Sequence, residues 1–91
     1  MEIRWSPEAA EDLENIVNRI RRDNPEAARQ VAEIIYNRCA SLYNFSNRGR
    51  IGRISGTREL VFAPLPYIAV YRVKPGVVEI VRIYHSAQNW P

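Results

Sequence analysis

Few of the residue types that build a small enzyme's site are present. The chain has 91 residues and one cysteine, Cys39. An internal disulfide is therefore excluded, and a thiol at helical spacing reads as a small buried hydrophobe, in keeping with a reducing cytoplasm. There is one histidine, His85, so no Cys/His cluster exists and no metal site is expected. The glycines lie outside any strand–turn–helix phosphate-binding context, and no cofactor is expected. No apolar run approaches the length of a membrane span. The opening Met1-Glu2-Ile3-Arg4-Trp5 is acidic and polar where a signal peptide is basic and then apolar. These absences leave a cytoplasmic protein without a membrane partner as the expectation.

Lysine is also scarce: Lys74 stands alone against twelve arginines. Arginine makes planar, bidentate contacts to phosphate and carboxylate, which suits an anionic partner, although a GC-rich genome would give the same bias. The charge is unevenly spread. Residues 1–37 carry eight acids and five bases, whereas residues 38–91 carry eight bases and only two acids, Glu59 and Glu79. The basic surface therefore belongs to the C-terminal part. The length fits one small domain over residues 1–91, and a composition 46% apolar and 25% charged is that of a folded globular protein.

Read in order, Glu2-Ile3-Arg4-Trp5 alternates polar and apolar and predicts a short strand. Ser6-Pro7-Glu8 is a helix start, with Ser at the N-cap, Pro at the first helical position and an acid in the first turn. Leu13, Ile16, Val17 and Ile20 continue at helical spacing, and this helix stops near Asp23. Asn24-Pro25-Glu26 repeats the start signal, and a second helix runs to about Leu42 or Tyr43. So short a link favours an antiparallel helical hairpin whose apolar stripes need a sheet to cover. Residues 44–57 have no periodicity, three glycines and the arginines Arg48, Arg50 and Arg53, and read as loop. Strands follow at 58–63, 67–74 and 77–85, the last two joined by the turn signal Pro75-Gly76. The expected fold is α+β: β-α-α-β-β-β, with the helical hairpin packed on one face of a mainly antiparallel four-stranded sheet, and the first strand at an edge.

Several pieces of this chain together resemble the RelE/ParE superfamily of bacterial type II toxin–antitoxin toxins. They are Ile3-Arg4-Trp5-Ser6-Pro7 with Ala10, Asp12 and Leu13; Gly56–Leu60; Tyr67-x-x-Val70-Tyr71-Arg72-Val73; and Val78-Glu79-Ile80-Val81-Arg82-Ile83-Tyr84-His85. The order and size of the elements match over the whole chain. The resemblance implies a toxin held inactive by a cognate antitoxin, and it implies one of two activities. RelE-like members enter the ribosomal A site and cut mRNA with basic and polar side chains on the open sheet face. ParE-like members share the fold, lack that set and poison DNA gyrase. Here Ile68 stands where many of the nucleases have an arginine, Glu59 and Val61 replace a lysine-rich strand entry, and the tail from Ser86 to Pro91 has no base. The expectation is therefore ParE-like inhibition of DNA gyrase. The alternatives are a ribosome-dependent mRNA endonuclease and a non-toxic relative that only binds its partner.

Metal-independent RNA cleavage needs a base for the 2′-hydroxyl, a cation for the transition state and an acid for the leaving oxygen. His85 is the natural base or acid, because its ordinary pKa lies near neutrality. Arg72 on the same sheet face would complete a minimal site, and Arg58 at the sheet entrance would add charge. A structural hydrogen-bonding role for His85 is the competing reading. Arg82 is expected to pair with an acid of the first helix, such as Asp12, and Phe62, Tyr67 and Tyr71 are expected in the core. Arg48, Arg50, Arg53 and Arg58 are candidates for binding the target or RNA phosphates. Trp90 can pack back on the core or anchor a partner, and a partner contact is the expectation.

Overall fold

The computed structural model describes residues 1–90. The elements are β1 (Glu2–Trp5), α1 (Pro7–Asp23), α2 (Pro25–Ala40), a 3₁₀ turn (Ser41–Tyr43), β2 (Arg50–Ile51), β3 (Arg58–Val61), β4 (Tyr67–Lys74) and β5 (Val77–His85). They form one mixed sheet of five strands in the order β1-β5-β4-β3-β2. β1 lies at an edge, parallel to β5, and the other pairs are antiparallel. The α+β hairpin-on-sheet architecture is as expected. The strand count is five rather than four, because Arg50 and Ile51 leave the predicted loop to pair with Glu59 and Arg58.

Both helices start as their caps dictate. The Ser6 hydroxyl accepts the Ala9 N–H at 2.9 Å, and the Asn24 side-chain oxygen accepts the Ala27 N–H at 3.1 Å. Asn24 also ends α1, donating its N–H to Ile20 at 2.9 Å, so one residue closes one helix and opens the next. The hairpin and the 3₁₀ turn then lay Ile16, Ile35, Cys39 and Leu42 on the inner sheet face, against Leu60, Phe62, Tyr71, Val78 and Ile80. Cys39 is fully enclosed, and burial pushes its thiol up to about 12, which keeps it protonated and unreactive.

The register of β5 breaks once. Val70 pairs with Arg82 and Tyr71 with Ile80, so Val81 is an extra residue, a β-bulge. One added residue inverts the alternation that follows it. Before the bulge Val78 and Ile80 face the helices; after it Ile83 does, and Tyr84 turns to the other side.

The bulge sits where β5 loses its neighbour. β1 pairs with β5 only over Val77–Ile80. Beyond that point the outer edge is finished by α1 and its cap. The Ser6 N–H donates to the Ile80 carbonyl at 2.9 Å and the Ser6 hydroxyl to the Val81 carbonyl at 2.7 Å. An Asp12 oxygen then accepts the Ile83 N–H at 2.9 Å, while the carboxylate takes a two-pronged contact from Arg82 at 2.7 and 3.0 Å. The expected Asp12–Arg82 pair is therefore present, and it also satisfies a strand N–H that no strand covers.

Ser6→Ala removes the α1 cap and strands the Val81 carbonyl, for an expected cost of about 1–2 kcal/mol. Asn24→Ala removes only an exposed cap and should cost ~0.5–1 kcal/mol. Urea unfolding at neutral pH checks the order; equal losses would show that the Ser6–Val81 bond adds nothing.

Candidate functional site

The three residues proposed from sequence for RNA cleavage do not meet. His85 pairs with Tyr67, on the helix-facing side of the sheet, with the two rings edge to face and centroids 5.5 Å apart. Arg58 pairs with Tyr71 on that same side, four residues further along β4, which is roughly 13 Å away. It is turned to the loop, where it donates to the Gly49 carbonyl at 2.7 Å. Arg72 pairs with Glu79 on the opposite face, and the two side chains lie 3.9 Å apart. The cause is the bulge. Unbroken alternation from Glu79 would carry His85 to Arg72's face, and Val81 sends it to the other.

His85 instead closes a small cleft of about 170 Å³ with Asp12, Asn15, Arg19, Tyr67 and Gln88. Its Nδ1 accepts the Ala87 N–H at 3.1 Å, so the neutral ring carries its proton on Nε2. This is the structural hydrogen-bonding role that the sequence left open.

The open face of the sheet is covered by the chain's own tail and loop. Trp90, expected as a partner anchor, is 4% exposed. Its indole stacks on Tyr84 with centroids 4.6 Å apart and planes at 6°, and the Arg53 guanidinium covers its other side at 3.8 Å. Arg82 lies 5.0 Å from the Tyr84 ring. The correction has a plain cause: Ile68, Val70 and Tyr84 make an apolar floor on that face, and a large ring gains by covering it.

The loop arginines are likewise engaged within the molecule. Arg48 donates to the Ser41 hydroxyl at 3.0 Å. Arg50 pairs with Glu59 at 2.9 Å, and Arg53 gives Glu59 both its backbone N–H, at 2.9 Å, and its guanidinium, at 3.6 Å. Glu59 is 3% exposed while Arg50 and Arg53 stay about half exposed, so a buried anion ties two cations that a phosphate clamp would need free. The other end of the loop is pinned by Tyr71, whose buried hydroxyl donates to the Ser46 carbonyl and accepts the Gly49 N–H, each at 2.8 Å. A side chain at position 49 would come within 2.7 Å of the Tyr71 ring, which explains the glycine. Sequence reasoning missed both pins. The available signal was that Glu59 is one of only two acids after residue 37.

Burial alone would raise the Glu59 carboxyl. The Arg53 backbone N–H and the Arg50 guanidinium more than offset this and hold it below the ordinary carboxylate range. A depressed carboxyl stabilises the fold above its unfolded pKa, and that contribution fades as pH falls through the folded value.

The helical hairpin carries an apolar groove away from the sheet's open face. The groove, of about 390 Å³, is lined by Trp5, Leu13, Val17, Ala32 and Tyr36, and the Tyr36 ring stacks on Trp5 while staying 59% exposed.

Known proteins of the same kind match nearly the whole chain. A family model described as the ParE toxin of the type II toxin–antitoxin system parDE matches residues 3–90. The Y4kP protein of Sinorhizobium fredii is 42% identical over 89 residues, spanning 98% of this chain and 92% of its own. Toxin RelE2 of Caulobacter vibrioides is 38% identical over 84 residues, spanning 92% of this chain and 93% of its own. A solved structure described as the chromosomal ParDE TA system from P. aeruginosa superposes with a TM-score of 0.86 at 30% identity, covering 93% of this chain and 95% of that one.

Glu59→Gln should cost about 1–2 kcal/mol at pH 7, by weakening two charge-assisted bonds whose cations are partly screened by solvent. Its deficit should narrow below about pH 4, where unfolded carboxyls protonate. Urea unfolding at pH 7 and at pH 3 reads this; a deficit that stays constant with pH would show that the charge of Glu59 does not matter.

Proposed function

The chain belongs to the ParE toxin family of type II toxin–antitoxin systems, and from that premise we propose that it arrests growth by inhibiting DNA gyrase in the cytoplasm until its cognate antitoxin binds. The observation that carries the choice of target is the dispersal of His85, Arg72 and Arg58 over both faces and both ends of the sheet. General acid–base cleavage of RNA requires its groups within hydrogen-bond reach of one phosphodiester, and these three are not. The commitment of Arg50 and Arg53 to Glu59 supports the same reading, since a nuclease of this kind would keep its cations for phosphate.

The antitoxin's part rests on a different surface. The helical groove beside Tyr36 offers an apolar seat with an exposed aromatic rim, a fit for an amphipathic segment. The acids and bases flanking it, Glu14 and Arg21, can set the register of that segment.

Induction without the antitoxin is expected to stop growth, and co-expression of the antitoxin to restore it. Purified toxin should inhibit supercoiling by gyrase and leave message on translating ribosomes intact, and His85→Ala should keep at least half of the inhibitory potency. Cleaved message with unimpaired supercoiling would overturn the proposal and favour the ribosome-dependent nuclease. No growth defect at all would favour a relative that only binds its partner.

A further inference from the structure

Between Glu33 and Glu59 the chain has no acid and five arginines. Glu59 compensates two of them, Arg50 and Arg53. Arg48 and Arg58 meet only neutral oxygens. Arg48 donates to the Ser41 hydroxyl, and Arg58 to the Gly49 and Asn47 carbonyls at 2.7 and 3.4 Å. Among the described residues no carboxylate pairs with either, and these bonds use few of the five N–H groups of each guanidinium. The loop between them forms a cleft. Asn44, Phe45, Ser46, Asn47 and Arg48 line about 590 Å³ of open space just past the 3₁₀ turn. Their backbone is pinned from behind. The Ser46 carbonyl accepts from Tyr71, the Asn47 carbonyl from Arg58, and the Phe45 carbonyl from the Arg48 N–H at 3.0 Å. Phe45 is 63% exposed, with Asn44, Asn47 and Arg48 exposed beside it. Among the described residues nothing hydrogen-bonds to the side chain of Asn44 or Asn47.

We propose that this cleft binds one nucleotide of a single-stranded nucleic acid, with the base on Phe45, its edge on Asn44 and Asn47, and its phosphate on Arg48. Each part of the lining matches one part of that ligand. An exposed ring offers a stacking surface to any base. Two unengaged amides both donate and accept, as a base edge does. A guanidinium without a carboxylate partner takes a phosphate in a bidentate contact. An acidic side chain would use the cation and leave the ring and the amide acceptors idle. Arg58, against the loop at Asn47, adds a second positive charge for a neighbouring phosphate, which favours a strand over a free nucleotide. The pinned backbone holds the cleft ready, so little ordering opposes binding. No imidazole or carboxylate lines the cleft, so it holds a phosphodiester without groups that would cleave it.

Binding can be measured on the purified chain alone, so its failure would leave the gyrase reading standing. Fluorescein-labelled oligo(dT) should bind in fluorescence anisotropy. Phe45→Ser, at an exposed position, should weaken binding at least about fivefold through lost stacking. Arg48→Gln should make the slope of log affinity against log salt shallower by about 0.7, the share of one phosphate on a single strand. Arg22→Gln removes the same charge at the far end of the helical hairpin and should change neither. No binding of oligo(dT), full affinity in Phe45→Ser, or the same slope change in Arg22→Gln would each overturn the proposal. So would equal affinity for a labelled acidic peptide of the same charge, or displacement by dTMP as effective per nucleotide as by unlabelled oligo(dT). The unaltered chain gives a second readout that needs no variant. At saturating oligo(dT), the ¹⁵N–¹H side-chain amide signals of Asn44 and Asn47 should shift while those of Asn18 and Asn24 stay. Unmoved Asn44 and Asn47 signals at saturation would contradict the proposed site as well.

Discussion

The fold turns on how the outer edge of β5 is finished after β1 stops. Three hydrogen bonds to the strand backbone, two from Ser6 and one to Asp12, replace the missing strand, and between them Val81 is squeezed out as a bulge. A strand edge left bare would strand backbone groups beside the core, which costs more than the bulge does. Because only Ser6 separates β1 from α1, the same short segment supplies both the helix cap and the edge cover. The helix, the strand register and the facing of every residue after Val81 are thus fixed together.

That facing decides what the sheet can do. The bulge sends His85 under the helices and Tyr84 out to the open face. On the open face, Ile68 completes an apolar floor at the position where a nuclease of this superfamily would carry a cation, and Trp90 covers it. The charges left at the rim are organised by three carboxylates, Asp12 on Arg82, Glu59 on Arg50 and Arg53, and Glu79 on Arg72 and Lys74. Buried anions of this kind hold cations in place and lower their availability at once. A face that reads as basic in sequence is, in the folded chain, a stacked series of rings and guanidinium groups with both ends anchored.

Local signals made much of the fold legible. Ser6-Pro7 and Asn24-Pro25 mark helix starts because capping and proline geometry act within a turn, and Pro75-Gly76 marks the hairpin because Gly76 adopts the positive φ of +73° that a tight turn needs. The Asp12–Arg82 pair was readable from an arginine in an apolar strand and an acid in a covering helix. The bulge was not. In Val77-Val78-Glu79-Ile80-Val81-Arg82-Ile83-Tyr84-His85 the polar residues Glu79 and Arg82 are three apart, so unbroken alternation puts them on opposite faces and marks no single polar side that would fix the register. Trp90 and Glu59 escaped for a related reason. Trp90 is defined by Arg53, far off in sequence, and Glu59 by Arg50 and Arg53, which are near in sequence but lie in an aperiodic stretch whose path only the folded sheet sets.

The most direct test of this picture is the side of the sheet on which the His85 ring lies. In a ¹³C-edited NOESY spectrum of the free chain, the imidazole protons of His85 should show cross-peaks to the Tyr67 ring and to the Ile16 methyl groups, as the helix-side cleft requires. Cross-peaks from His85 to Ile68 or Arg72, without those to Ile16, would place the ring on the open face, remove the bulge and return His85 and Arg72 to a common site.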